Sequence, residues 1–178
     1  MFFVANRTRE VVLHPSFFDS AAEQKIIAKL YDDMQGNIEG TEIVIQIIGV
    51  DQISEPVLVP GTGMAKYVLS YRAIIWRPFR GEVVDGLVTT VVSNGFFVEV
   101  GAMTVFVSRS MIPSNLKYTV EGSTPSFTDN NDQIERGTQI RLRLKGIRGE
   151  IGSMFAVGSI AEDYLGYTRI SAPSFISC

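Results

Sequence analysis

The side chains able to do covalent or metal chemistry are few in this chain, and they are scattered. A single histidine, His14, precedes Pro15, and the single cysteine, Cys178, is the last of 178 residues. One imidazole and one distant thiol supply neither a Ser-His-Asp relay, for which no nucleophile elbow is present, nor the ligand set of a zinc site. No disulfide can close within the chain, which accords with a reducing compartment. Asp32 and Asp33 fall near a helix end, and Asp129 and Asp132 lie in a Ser- and Asn-rich stretch, so these carboxylates read as solvated. No catalytic residue, metal or cofactor is expected, and the chain reads as a non-enzyme.

Binding chemistry is better represented. In the segment 139–148, Ile140, Leu142 and Leu144 share one face of a strand, and Arg141, Arg143 and Lys145 share the other. The basic face is either a track for an RNA backbone or a solvated face neutralised by acidic neighbours or a partner subunit. Phe97 alternates with Phe96 and Val98, and Phe106 with Val105 and Val107. Exposed aromatics on a sheet can stack bases; the plainer reading is that a long loop or a partner chain covers them. The loop Pro60-Gly61-Thr62-Gly63 has the glycines of a phosphate cradle but lacks the Gly-Lys-Ser/Thr ending and a following helix. It reads as an exposed turn, suited to protein contact.

The elements that must position these residues form two groups. Phe2 to Leu13 reads as a strand stopped at His14-Pro15. Ser20-Ala21-Ala22-Glu23 has the form of a capping box, followed by Ile26, Ile27, Leu30, Tyr31 and Met34 on one helical face. Gly36 is the expected stop. Thr41 to Val50 is a second strand, with Ile43, Ile45 and Ile47 on one face and Val44 and Ile48 on the other. The segment 51–63 is a loop, and Met64 to Trp76 a third strand. This order predicts a small α+β layer, a short sheet covered by one helix.

The second group is all strand. Glu82 to Ser93, Phe96 to Val100, Met103 to Ser108, Gln139 to Arg148 and Phe155 to Ala161 are five strands, with a hairpin signal at Asn94-Gly95. Pro113 to Arg136 reads as a long mobile loop between the third and fourth. Five strands with that excursion fit an OB-type β-barrel, an architecture that binds nucleic acid more often than it catalyses. The segments 77–86 and 162–166 bracket it. The domains are therefore 1–78 and 79–168, with a tail 169–178 of no assigned role.

Composition bounds the function. Hydrophobic residues are 46% and charged residues 20%, ordinary for a folded protein, and the net charge is -3. Tight unaided nucleic-acid binding is not expected, because phosphate neutralisation supplies much of that affinity. Residues 1–78 carry Arg7, Arg9, Lys25, Lys29, Lys66, Arg72 and Arg77 against a larger set of acids, a balance that suits a protein partner better than phosphate. The first residues lack the basic start and apolar run of a signal peptide. No stretch approaches the roughly 20 apolar residues of a membrane span, so no membrane partner is expected.

Several segments, in order, carry a resemblance: Met1-Phe2-Phe3, Leu13-His14-Pro15-Ser16-Phe17-Phe18, Tyr71-Arg72-Ala73, Arg77-Pro78-Phe79-Arg80-Gly81-Glu82-Val83-Val84-Asp85-Gly86, Gly95-Phe96-Phe97, Phe106-Val107-Ser108-Arg109, Ile112-Pro113, Ala156-Val157-Gly158-Ser159-Ile160 and Asp163-Tyr164-Leu165-Gly166. Over about residues 1–166 the chain resembles the seventh-subunit family of RNA polymerase II, the larger member of the polymerase stalk, related to the archaeal stalk E subunit. The resemblance implies a truncated ribonucleoprotein-like tip domain followed by an OB barrel of ribosomal-protein S1 type. It implies a nuclear, non-catalytic subunit that forms a heterodimer with the fourth polymerase subunit and supports initiation. Equivalent stalk subunits of other nuclear polymerases, and free-standing OB-fold RNA-binding factors, share many of these features.

The same resemblance implies docking on the polymerase core at the base of the clamp, for which His14, Pro15, Ser16, Phe17, Pro60, Gly61, Thr62 and Gly63 are the candidates. It implies weak contact with single-stranded nascent RNA, for which Phe97, Phe106, Arg109, Arg141, Arg143 and Lys145 are the candidates. The match departs from the general S1 pattern at Asn94, often aromatic there, at Phe106, usually histidine, and at Arg148-Gly149-Glu150. These departures point to backbone-dominated rather than base-specific contact.

Overall fold

The computed structural model describes residues 1–121, 124–129, 133–150 and 152–168. It divides into two compact units, one of Met1–Pro78 with Glu150 and Gly152, the other of the remaining described residues from Phe79 onward.

In the first unit, β1 (Phe2–Leu13), β2 (Ile38–Glu39), β3 (Glu42–Ile53), β4 (Val57–Leu58) and β5 (Ala65–Trp76) make an antiparallel sheet in the order β1-β5-β3-β2, with β4 paired to β5. One helix, α1 (Ala22–Met34), covers one face. Its Ile26, Leu30 and Met34 recur at intervals of four. They pack on Val11, Leu13, Val44, Ile47, Leu69, Ala73 and Ile75 of the strands.

Two local expectations are corrected here. The helix does not use Ser20 as its cap: Ala21 holds that position without a side-chain bond. Asp19 instead accepts the Ala21 N–H at 3.0 Å and takes Lys25 Nζ at 2.7 Å. A carboxylate reaching the amide two residues on is the competing local geometry that Asp favours. Strand β3 does not alternate simply either. Its register with β5 shifts between Val44 and Gln46, between Ile47 and Gly49, and between Val50 and Gln52. Each shift inserts one unpaired residue. Val44 and Ile47 therefore share the helix-covered face, while Ile45 and Ile48 are exposed. The segment 51–63 is also more ordered than a loop, since β3 extends to Ile53 and β4 pairs Val57 with Lys66.

The second unit is built on β6 (Val83–Val92), β7 (Gly95–Val100), β8 (Met103–Ser108), β12 (Gln139–Glu150) and β13 (Ser153–Ser159). The order is β13-β8-β7-β6-β12, and β12 also pairs with β13, which closes a five-stranded barrel. Alternation fills its interior with Phe96, Val98, Met103, Val105, Val107, Ile140, Leu142, Leu144 and Met154. A short β14 (Gly166–Tyr167) adds to β12. The hairpin turns on Ser93 and Asn94, and the positive φ, 148°, falls on Gly95. A Cβ there would lie 2.1 Å from the Val107 carbonyl oxygen, so only glycine lets β7 and β8 close at this end.

The segment 113–136 is corrected as well. Within it β9 (Lys117–Glu121), β10 (Thr124–Thr128) and β11 (Gln133–Ile134) form a small antiparallel sheet. Its anchor is Phe127, 0% exposed, which meets Phe96 edge-on at 6.0 Å and Tyr118 at 5.5 Å. A polar sequence hid one aromatic that joins the barrel core. Asp132 lies outside the described residues, as does the tail from residue 169.

Candidate nucleic-acid interface

The outer face of the barrel carries an apolar groove of about 430 Å³. Register builds it. Phe97 on β7 stands opposite Phe106 on β8, and Phe106 opposite Val157 on β13. One row along, Thr104 faces Phe155. The Phe97 and Phe106 rings lie 4.9 Å apart at 44°. Ile147 and Arg148 of β12 complete the wall. Phe155 is 46% exposed, so the groove presents ring surface to solvent. Such a trough can take the flat face of a base, with Arg148 at its edge for a phosphate. The structure thus brings two predicted residues, Phe97 and Phe106, into one surface. Sequence reading missed Phe155, Ile147 and Arg148. Phe155 alternates with buried Met154 and Ala156, the signal that had singled out Phe97.

Arg141, Arg143 and Lys145 of β12 have carboxylate partners. Asp85 of β6 stands opposite Arg141 in register and accepts two bonds from it, at 2.7 and 2.9 Å. The hydrogen bond from Arg141 holds the Asp85 carboxyl below its usual range, with burial working the other way, and Asp85 raises Arg141 in turn. Arg143 and Lys145 both bond the carboxylate of Glu162. That carboxyl is also held low, first by the hydrogen bond from Lys145 and then by the charges of both cations, against some desolvation. Acidic neighbours therefore lie against all three of these cations. Neither Asp85 nor Glu162 was legible as a counterion, because the pairings cross 56, 19 and 17 residues of sequence. Arg109 sits apart, in the 3-10 turn after β8, where its N–H bonds Asn94 O at 2.9 Å.

The predicted docking residues cluster at one end of the first unit. Leu13 pairs with Ala65, so the turn Pro15–Phe17 that follows β1 lies beside the β4–β5 hairpin tip. A Cβ on Gly63 would sit 3.7 Å from Pro15 Cγ. His14 Nδ1 is 2.8 Å from Ser16 Oγ and accepts the Ser16 N–H at 3.3 Å. Lys25 Nζ stands 5.1 Å over the Phe17 ring, and Phe17, Phe18, Val57 and Leu58 are exposed. Pro60 to Gly63 is the tip itself, closed by Val59 N–H on Met64 O at 2.8 Å, and no helix follows it.

Among the described residues no group of His, Cys, Asp and Glu could hold a metal ion, and no helix is long and apolar enough to cross a membrane. A closed five-stranded barrel with an aromatic groove on its second and third strands fits the OB-like class of domain. In agreement, residues 77–155 match the family model of the S1 RNA binding domain. Similarity extends well beyond that domain. The chain is 37% identical over 168 residues to DNA-directed RNA polymerase II subunit rpb7 of Schizosaccharomyces pombe, covering 93% of this chain and 98% of that one. It is 35% identical to the Saccharomyces cerevisiae subunit RPB7 over 93% of this chain and 99% of that one. Subunit 7 of DNA-directed RNA polymerase V of Arabidopsis thaliana is 28% identical over 68% of this chain and 70% of that one. The chain belongs to the family of the seventh subunit of RNA polymerase II.

Proposed function

We propose that this chain is the non-catalytic stalk subunit of a nuclear RNA polymerase II, which supports initiation and weakly contacts the emerging transcript. The observation that carries the reading is the extent of the similarity: it runs through both units and nearly the full length of the polymerase II relatives. The polymerase V subunit matches a shorter stretch at lower identity, which favours polymerase II over another nuclear polymerase. In this reading the first unit is the truncated ribonucleoprotein-like tip domain. Its paired turns at His14–Phe17 and Pro60–Gly63 dock on the core at the clamp base. Its uncovered apolar face, with Phe2, Val4, Ile45 and Ile48 exposed, receives the fourth subunit.

The barrel supplies the RNA contact. Bases lie in the groove of Phe97, Phe106 and Phe155, and backbone phosphates approach Arg109, Arg148 and the cations of β12. With a net charge of -3 the affinity is modest, on the order of micromolar, and falls steeply with salt. The test is to purify the native protein from its source and identify what accompanies it. Large polymerase II subunits with a smaller partner are expected. Recovery with ribosomes, or as a free monomer, would overturn the stalk reading.

A further inference from the structure

Two of the β12 cations share a single counterion that is not part of the barrel wall. Arg143 and Lys145 share the Glu162 carboxylate, and Glu162 lies in the segment between β13 and β14. Both ends of that segment are tied down. Ile160 is buried and gives its N–H to Met111 O at 3.0 Å. Gly166 and Tyr167 pair with Arg141 and Ile140. Between these anchors the chain closes a tight turn, Leu165 N–H on Glu162 O at 3.3 Å. Tyr164 carries the turn at φ 65° and is 97% exposed. It is the one non-glycine residue with positive φ among those described. An aromatic side chain gains nothing locally from that conformation, and such strain gathers where a segment is held for a purpose. Here it holds one carboxylate over two cations.

The grip is also incomplete. Arg143 Nε is buried and meets no hydrogen-bond acceptor among the described residues. The pose that serves Glu162 therefore leaves a donor unsatisfied, which makes exchange of the partner easier. Arg141 is held differently: Asp85 grips it in bidentate fashion from a paired strand within the barrel. That pair is built into the wall, whereas Glu162 rides on a strap. Lys145 and Ile147 follow Arg143 along the same outer face, and Ile147 lines the aromatic groove. A strand seated in the groove would thus have its next phosphates beside the cations that Glu162 occupies.

We propose that Glu162 is a built-in competitor for RNA phosphate, which sets how strongly the outer face of β12 holds a single strand. The proposal rests on the RNA-contact reading above. Lys145 and Arg143 keep the Glu162 carboxyl below its usual range, so the competitor is charged at neutral pH. An incoming backbone displaces it by exchange of one anion for another, with no change of protonation. The cluster carries two cations and one carboxylate, so it retains attraction for phosphate while discouraging tight, indiscriminate binding.

The experiment measures binding of a single-stranded oligouridylate to the full chain by fluorescence anisotropy over a salt series. Glu162→Gln should bind roughly tenfold more tightly at low salt. Its log–log salt slope should steepen by about 0.7 to 1.4, the increment of one to two added phosphate contacts. Asp163→Asn, which removes the same charge one residue away, should leave both nearly unchanged. Adding Arg143→Ala and Lys145→Ala to Glu162→Gln should abolish the gain. Glu162→Ala gives a second readout should the glutamine retain the bond to Lys145. Equal gains from the 162 and 163 variants would reduce the effect to net charge and overturn the proposal. So would wild-type binding that Phe106→Ala weakens while both Glu162 variants leave it unchanged; the RNA-contact reading would then stand alone. Absence of binding by every variant would overturn both.

Discussion

The two units use the same ingredient, an antiparallel sheet, and reach opposite surfaces. In the first, a helix covers one face and the other stays open, leaving Phe2, Val4, Ile45 and Ile48 exposed. Its cations are all engaged: Arg7 and Arg77 on Glu42, Arg9 on Glu39, Lys25 on Asp19, Lys66 on Glu10, Arg72 on Asp51, and Lys29 on the Val12 carbonyl. In the second, the sheet closes on itself, so its apolar side is fully used inside. The outside keeps an aromatic groove with Arg148 at its edge, and among the described residues neither Arg148 nor Arg109 has a side-chain partner. An open sheet with spent charges suits an apolar protein partner. A closed barrel with available rings and cations suits a polyanion with flat bases. How each sheet disposes of its second face decides what the unit can bind.

The largest expected effect tests whether the barrel is self-sufficient. Phe127→Ala removes a fully buried ring that bridges Phe96 and Tyr118. It should cost about 3–5 kcal/mol in barrel stability by denaturant titration. Leu30→Ala, the matching deletion under α1, should cost about 2–5 kcal/mol and act on the first unit. If both changes shifted one common transition equally, the two regions would not differ as described.

The open face comes next. If the open face receives the fourth subunit as proposed, replacing Val4 and Ile48 by Ser should weaken its capture about tenfold in a pull-down and leave any RNA binding by the groove unchanged. Solubility of the isolated chain should rise with the same change, since it removes exposed apolar surface. Retained capture would assign that face to something else. In the barrel, Phe106→Ala should lower single-strand affinity by roughly 1–3 kcal/mol if a base stacks there. A loss of stability with no loss of binding would make the ring structural.

The smallest effect separates the built-in ion pair from the rest. The folded Asp85 carboxyl is depressed by Arg141, so its contribution is present above the unfolded carboxylate range. It is lost as pH falls through the folded value. Asp85→Asn should therefore be slightly less stable than wild type near neutrality and indistinguishable from it in strong acid. Both groups are about half exposed, which keeps the difference small and sensitive to salt. A difference that persisted in acid would point to packing instead of charge.

The barrel strands were legible from the residues alone, because period-two alternation in 95–108 and 139–144 is the direct imprint of an inside and an outside. Ile26, Leu30 and Met34 marked α1, and Asn94-Gly95 marked the hairpin, whose turn falls one residue earlier, on Ser93 and Asn94. The ordered segments from Met1-Phe2-Phe3 to Asp163-Tyr164-Leu165-Gly166 marked the family. The rest depended on contacts between distant segments. The bulges of β3 arise from pairing with β5, so no reading of Ile43 to Ile48 in isolation could place Ile45 outside. Phe127 became core because a hairpin carried it onto Phe96. The groove exists because register sets Phe97, Phe106 and Val157 in one row. The charge state of the β12 face was likewise decided by Asp85 and Glu162, which are distant along the chain and adjacent in space. Local periodicity fixes which way a side chain points; what it meets there depends on pairings that span the fold.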